Sequence, residues 1–409
     1  RKSGELFFVY NPLSWERTDY SDYPYNGPTD IQVIDKTNLQ NVPFQFIFKN
    51  NIKYLRILAS EVPSIGFKVF EINKGGSSVM FPNAAVVSDT LIENSRYKIT
   101  FTRQGVITSL IDKFNNDREF IRNVNNLYAN DLGSGSGHQG SLKVENQGPV
   151  SVTLTADSYR PLKHTSKLTL YKNNDRIELE NYINENFGAG PVTYSFSFNL
   201  TNTEIWHEEA GAILNVKPQS LGGHYADSIS RLDWVGLNHF VNLSDIENSI
   251  VISNRDAYFM KLGSSSVEKL DCSIPQIKVL AGGQIDGPRL GIFNQDGDSY
   301  FENYFALKPQ AEPFDAAASM KFSLEHQNPL ISGKITGKSG SYGSQFSLFT
   351  VSNSNVLLWA LKPAEEGIEN GIILRVWNMD NKDSDCIISS FFPVIKCNNT
   401  THIETDGTE

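Results

Sequence analysis

Tyr97-Lys98-Ile99-Thr100-Phe101, a turn through Gln104-Gly105, then Val106-Ile107-Thr108-Ser109-Leu110-Ile111: this stretch reads as a β-hairpin and sets the class of the fold. Apolar and polar residues alternate on both arms, the period of strands with one buried face. Glycine suits the turn because a positive φ costs it little. The same signature recurs downstream. Lys167-Leu168-Thr169-Leu170-Tyr171 turns at Asn173-Asn174-Asp175 and returns as Arg176-Ile177-Glu178-Leu179-Glu180, and Val192 to Phe198 alternates as cleanly. Windows with a helical apolar period are few, and Ala316 to Leu324 is the one short helix expected. The expected fold class is all-β.

A chain of 409 residues exceeds what one core holds, and 39% hydrophobic residues supply several cores. Gly- and Ser-rich runs mark the boundaries. Asn73-Lys74-Gly75-Gly76-Ser77-Ser78 reads as a linker or hairpin loop, and Gly333 to Ser344 as a second break. The division is then 1–75, an N-terminal β-sandwich unit; 76–332, a large β unit; and 333–409, a C-terminal β unit packing with the first two. Asp131 to Ser141 is too glycine-rich for a packed element and reads as a long surface loop. No repeat of fixed period supports a propeller or solenoid.

The net charge is −10 and the isoelectric point about 5.3. Without a Lys/Arg-rich run this excludes a nucleic-acid surface, which needs clustered cations. No apolar stretch approaches the roughly 18 residues of a helical membrane span. Cys272, Cys386 and Cys397 form no C-x-x-C pair; Cys386 and Cys397 read as isolated thiols or as a cross-strand pair. The sequons at Asn199, Asn242 and around Asn398 are the sort that an Asn-rich sequence produces by chance. The chain opens Arg1-Lys2-Ser3 without a methionine, which reads as the loss of something upstream.

Catalytic patterns are missing. The seven histidines show no H-E-x-x-H or other ligand spacing, so no metal site is expected. There is no G-x-S-x-G elbow between strand and helix, and Cys272 has no histidine near it in sequence. Gly133 to Gly140 lacks the Lys-Ser/Thr ending and following helix of a phosphate loop. The stretch from Trp206 to Arg255 is richer: Trp206-His207-Glu208-Glu209, His224-Tyr225-Ala226-Asp227, Arg231-Leu232-Asp233-Trp234 and Ser253-Asn254-Arg255-Asp256. Sugar hydroxyls are held by Asp, Arg and Asn, and aromatic faces stack on the apolar sugar face. The alternative for these residues is a set of ordinary loop polars with Trp206 and Trp234 in the core.

Longer segments bring a family into view. Phe7-Phe8-Val9-Tyr10-Asn11-Pro12-Leu13-Ser14-Trp15 resembles the opening of the β-rich half of glycoside hydrolase family 38 α-mannosidases. Ser95 to Phe101 with Gly105 and Ser109 to Lys113 resembles the first hairpin of that family's large sandwich. Asn355-Val356-Leu357-Leu358-Trp359-Ala360-Leu361-Lys362-Pro363 followed by Gly371 to Asn378 is the closest match. The resemblance implies a large galactose-mutarotase-like supersandwich flanked by smaller β-sandwich units. It implies retaining hydrolysis of α-mannosides, with zinc and the carboxylate nucleophile in an N-terminal catalytic domain outside this chain. This chain would hold no catalytic residue and no cofactor, would be inactive alone, and would have that catalytic domain and α-mannoside glycans as its partners. His224, Tyr225, Asp227, Arg231, Asp233, Trp234 and Arg255 would face the rim of the active site. Arg255 stands where the family carries an Asp-Arg pair, with Asn254 in place of the aspartate. His402 to Asp406 reads as the lead-in to a trimmed last strand. A stand-alone carbohydrate-binding sandwich is the alternative; it needs an exposed aromatic platform.

Overall fold

The computed structural model describes residues 4–75, 79–134, 137, 139–228, 231–286, 293–337, 340, 342–401 and 404. It is all-β apart from short turns of helix and one α-helix, Ala316–Gln327. Two compact units emerge, residues 82–327 and a second made of 1–81 with 328–409.

The unit 82–327 is built on a nine-stranded sheet. Its strands, in spatial order, are Ser141–Gln147, Ser151–Ser158, His164–Tyr171, Ile177–Ile183, Phe301–Gln310, Ser249–Asn254, Phe240–Ser244, Glu204–Glu209 and Ala212–Asn215, every pair antiparallel. Alternation decides which face is inside. Ile177, Leu179 and Ile183 point into the core beside Phe305 and Leu307, with Leu179 opposite Phe305 in register. A five-stranded sheet carrying the Tyr97–Phe101/Ile107–Asp112 hairpin and a four-stranded sheet carrying Val192–Ser197 contribute to the same core. Gly105 takes φ +79° at the hairpin turn, as its sequence position requires.

The opposite face of the nine-stranded sheet is polar. Ser253, Ala306 and Glu178 form one cross-strand row on it. The helix lies over this face, with His326 Nδ1 2.9 Å from Ser253 Oγ and Ser319 Oγ accepting from Asn242 Nδ2 at 3.2 Å. Helix formation continues three residues past the Leu324 end expected from sequence, to Gln327. Burial on this helix falls on Ser319, Ser323 and His326 as well as on Met320 and Phe322. An apolar stripe therefore understates its length.

The other unit pairs the two ends of the chain. Glu5–Asn11 lies between Ile331–Lys334 and Gly66–Lys74, and Gln345–Ser347 adds to the far side of Gly66–Lys74. A three-stranded sheet of Arg17–Pro24, Ile52–Val62 and Phe44–Lys49 closes over a core of Phe7, Val9, Ile31, Val33, Leu55, Ile57, Phe70 and Ile72. Two sequence boundaries shift. Asn73 and Lys74 end a strand, and Gly333 and Lys334 belong to one. Residues 76–78 of the expected linker and 135, 136 and 138 of the glycine-rich loop lie outside the described residues. So does the expected terminal strand at 402–406, except for Glu404. The three cysteines are free thiols.

Candidate functional site

The candidate residues fall into three groups in the unit 82–327. The first surrounds strand Glu204–Glu209. Its His207, fully buried, places Nε2 2.9 Å from the Tyr225 hydroxyl. Burial pulls the imidazole down to about 4, against the opposing effects of the Gly236 backbone and the Glu208 charge. The same burial, with Glu209 and Cys272 nearby, pushes the Tyr225 phenol above its usual value. This pair is therefore neutral across physiological pH. Tyr225 is held by the loop before it, through Gln219 N–H to its carbonyl at 2.8 Å and its own N–H to Lys217 at 2.9 Å. His224 is exposed, with Nδ1 accepting from the Asn215 N–H at 2.7 Å and its ring edge-on to Trp206 at 6.0 Å. Trp206 in turn stacks on Phe314 at 4.6 Å. Asp227, also exposed, accepts from the Ser220 N–H and hydroxyl.

The second group is an ion-pair chain. Arg231 donates to Asp233 at 2.7 Å and also contacts Asp286. These two carboxylates hold its guanidinium protonated more firmly than usual. Asp233 and Trp234 are 7% and 8% exposed, so both lie within the fold rather than on its surface.

The third group is centred on Arg255, which is exposed at the end of strand Ser249–Asn254. Its backbone loop is fastened from inside. Asn254, 1% exposed, donates through Nδ2 to the Asn238 carbonyl at 3.0 Å and the Ala257 carbonyl at 2.7 Å. Its Oδ1 accepts the Ala257 N–H at 3.1 Å. The helix supplies another fastening, since Gln327 Nε2 donates to the Asn254 carbonyl. Asp256 accepts the Tyr304 N–H at 3.1 Å. Burial raises the Asp256 carboxyl above its usual value, against the pull of Arg255.

The Arg255 guanidinium lies over the Tyr304 ring at 4.9 Å. From there a polar and aromatic row crosses the sheet face. Tyr304 donates to Glu302 at 2.7 Å and its hydroxyl is 3.4 Å from that of Tyr182. Tyr182 donates to Glu180 at 2.6 Å and stacks on Tyr300 at 6.2 Å. Sequence reasoning passed over Tyr182, Tyr300, Tyr304, Glu180 and Glu302. Their signal was present as Glu302 and Tyr304 alternating with the buried strand positions Asn303 and Phe305.

Two properties limit the chemistry. Among the described residues no group of three or more His, Cys, Asp or Glu is placed to hold a metal ion. The Cys272 thiol is pushed up to about 12 by burial and the Asp271 charge, far from a thiolate nucleophile. What the Arg255 group offers is recognition: a cation over an aromatic ring, carboxylate acceptors and ring faces.

Residues 355–409 match the model for the glycosyl hydrolases family 38 C-terminal beta sandwich domain. The chain resembles the C-terminal, β-rich portion of the family 38 α-mannosidases. An alpha-mannosidase from Enterococcus faecalis V583 shares the fold with TM-score 0.69 and 13% identity, over 95% of this chain and 52% of that one. A protein in the glycosyl hydrolase family 38 from Enterococcus faecalis does so with TM-score 0.68 and 13% identity, over 95% of this chain and 54% of that one. This chain thus spans about half the length of either family 38 structure. A galactose mutarotase related enzyme from Lactobacillus acidophilus covers 56% of this chain and 99% of its own, with 14% identity and TM-score 0.32. No curated protein matches the chain.

Proposed function

We propose that this chain is the non-catalytic β-rich portion of a retaining α-mannosidase, and that Arg255 reaches the rim of an active site built by a separate catalytic domain. One observation carries the reading: Arg255 is an exposed cation on a loop that Asn254, Asp256 and Gln327 hold in place. A guanidinium fixed over an aromatic ring loses little freedom when it donates to sugar hydroxyls or to a carboxylate in the partner domain. Support for the wider assignment comes from the family 38 match and from a fold shared over 95% of the chain with two structures about twice its length. Of the other candidates, His224 and Asp227 are exposed and remain rim residues in this reading. Zinc belongs, in this reading, to the catalytic domain.

The test is hydrolysis of p-nitrophenyl α-mannoside, with and without added zinc, by this chain and by the longer gene product. The expected result is turnover by the longer product only. Arg255→Ala in that product should lower kcat/KM by about 10- to 100-fold, the value of one charge-assisted hydrogen bond in a desolvated site. Turnover by this chain alone would overturn the reading and direct attention to the Glu180, Tyr182, Glu302 and Tyr304 row.

A further inference from the structure

Away from the Arg255 group, the unit 82–327 contains a cavity of about 800 Å³. Its walls are the segment 83–86, residues 91–96, the turn carrying Phe114, and the hairpin tip 171–175. Phe114 is 70% exposed. A phenyl ring left in water forgoes the stabilisation of burial, and an exposed ring in a cavity wall is a stacking surface.

The turn that carries the ring is held in place, and the Arg96 guanidinium lies over the ring at 5.8 Å. The Phe114 and Asn115 N–H groups donate to the Asp112 carboxylate and carbonyl at 3.0 and 3.1 Å. Asp112 is fully buried and accepts from Arg96 Nη2 at 3.1 Å. Arg96 also pairs with Asp175 at 2.5 Å, while the Tyr97 hydroxyl donates to the Asp175 carbonyl at 3.0 Å. One guanidinium thus joins the Phe114 turn to the hairpin tip, and the walls need little ordering on binding. Most of the charges are matched, Glu93 with Lys113 at 2.8 Å and Asp175 with Arg96 and with Lys308 at 3.6 Å, and Lys172 adds a single further cation to the wall. An anion finds no spare cluster of cations here. Asn83, Ser95 and Asn173 are exposed, and among the described residues their side chains make no hydrogen bond.

We propose that this cavity is a carbohydrate-binding site for a short neutral oligosaccharide, distinct from the Arg255 rim. One pyranose stacks its apolar face on Phe114, and Asn83, Ser95 and Asn173 hydrogen-bond its hydroxyls. The site does not depend on the rim assignment, because it lies wholly within one unit and needs no second domain.

Calorimetric titration of this chain with mannotriose and with maltotriose tests it. Saturable binding of at least one sugar is expected. Phe114→Ala should weaken it about tenfold or more while leaving the melting temperature unchanged, since the ring is exposed. Ser95→Trp, which fills the mouth, should abolish binding, and Arg255→Ala should leave it intact. Absence of saturable binding of either sugar overturns the proposal. So does binding that survives Phe114→Ala, or binding that is lost in Arg255→Ala. A failed titration leaves mannoside turnover by the longer product untouched, so the two readings fail separately.

Discussion

Asn254 explains why an arginine loop of this kind tolerates an amide before the arginine. Both of its donated hydrogen bonds, to Asn238 and Ala257, go to carbonyl oxygens. A carboxylate cannot donate, and at 1% exposure it would face those oxygens out of water. Asn254→Asp should therefore destabilise the unit by about 2–4 kcal/mol, lowering Tm by about 5–10 °C. If Arg255 lines the rim as proposed, the same change in the longer product should also raise KM for the mannoside by loosening it. Thermal unfolding of the variant checks the first effect, and unchanged Tm would mean that the loop is held by other contacts. The sequence marked Asn254 as a departure from the family's Asp-Arg pair, but not what it does. Its carbonyl partners at 238 and 257 come together only through the register of strands Phe240–Ser244 and Ser249–Asn254. Trp234 shows the converse: with Arg231 and Asp233 it reads from sequence as carbohydrate-facing, and its ring is nonetheless buried.

The helix Ala316–Gln327 connects this loop to pH. His326 is 5% exposed against Ser253, and burial, with Arg176 and Arg255 nearby, holds it well below its usual pKa. His207 is drawn down to about 4 by burial. In the unfolded chain both titrate near 6.5. Below that pH the unfolded state binds more protons than the native state, so stability falls as pH decreases. For His207 the loss runs from about pH 6.5 to about 4 and amounts to roughly 3 kcal/mol. Glu208, held below the usual carboxylate range by His239 and the Gly211 N–H despite burial, adds its loss only at lower pH. Urea midpoints should be level from about pH 8 to 7 and decline from about 6.5. His326→Gln should reduce that slope, even though it lowers stability at pH 8. A midpoint independent of pH between 7 and 4.5 would show that both imidazoles titrate normally. The strands were legible because alternation survives wherever one face is buried, as at Ile177-Glu178-Leu179-Glu180. The helix was legible only to Leu324, because its last turn buries His326 instead of an apolar residue.

How the chain is partitioned follows from which strands share a sheet. The sequence pointed to breaks near residues 75 and 332, where glycine and serine accumulate. Composition cannot show that Ile331–Lys334 pairs with Glu5–Asn11, because that pairing joins residues more than three hundred positions apart. Leu330 lies in the same core as Phe7 and Val9, and Arg17 Nη1 donates to the Asn328 carbonyl at 2.7 Å. Residues 1–81 alone would leave the outer edge of Glu5–Asn11 and the Gly66–Lys68 end of the next strand without partners, while Ile31–Asp35 still covers Phe70–Lys74. Residues 82–327 have a different standing, since their three sheets complete one core from within that span. Expressed separately, 82–327 should unfold cooperatively, and 1–81 should aggregate or stay unfolded until 328–409 is supplied. Denaturant melts of the three preparations decide this. A cooperative transition in 1–81 alone would mean that its own three-stranded sheet suffices, and that the terminal strands only decorate a finished fold.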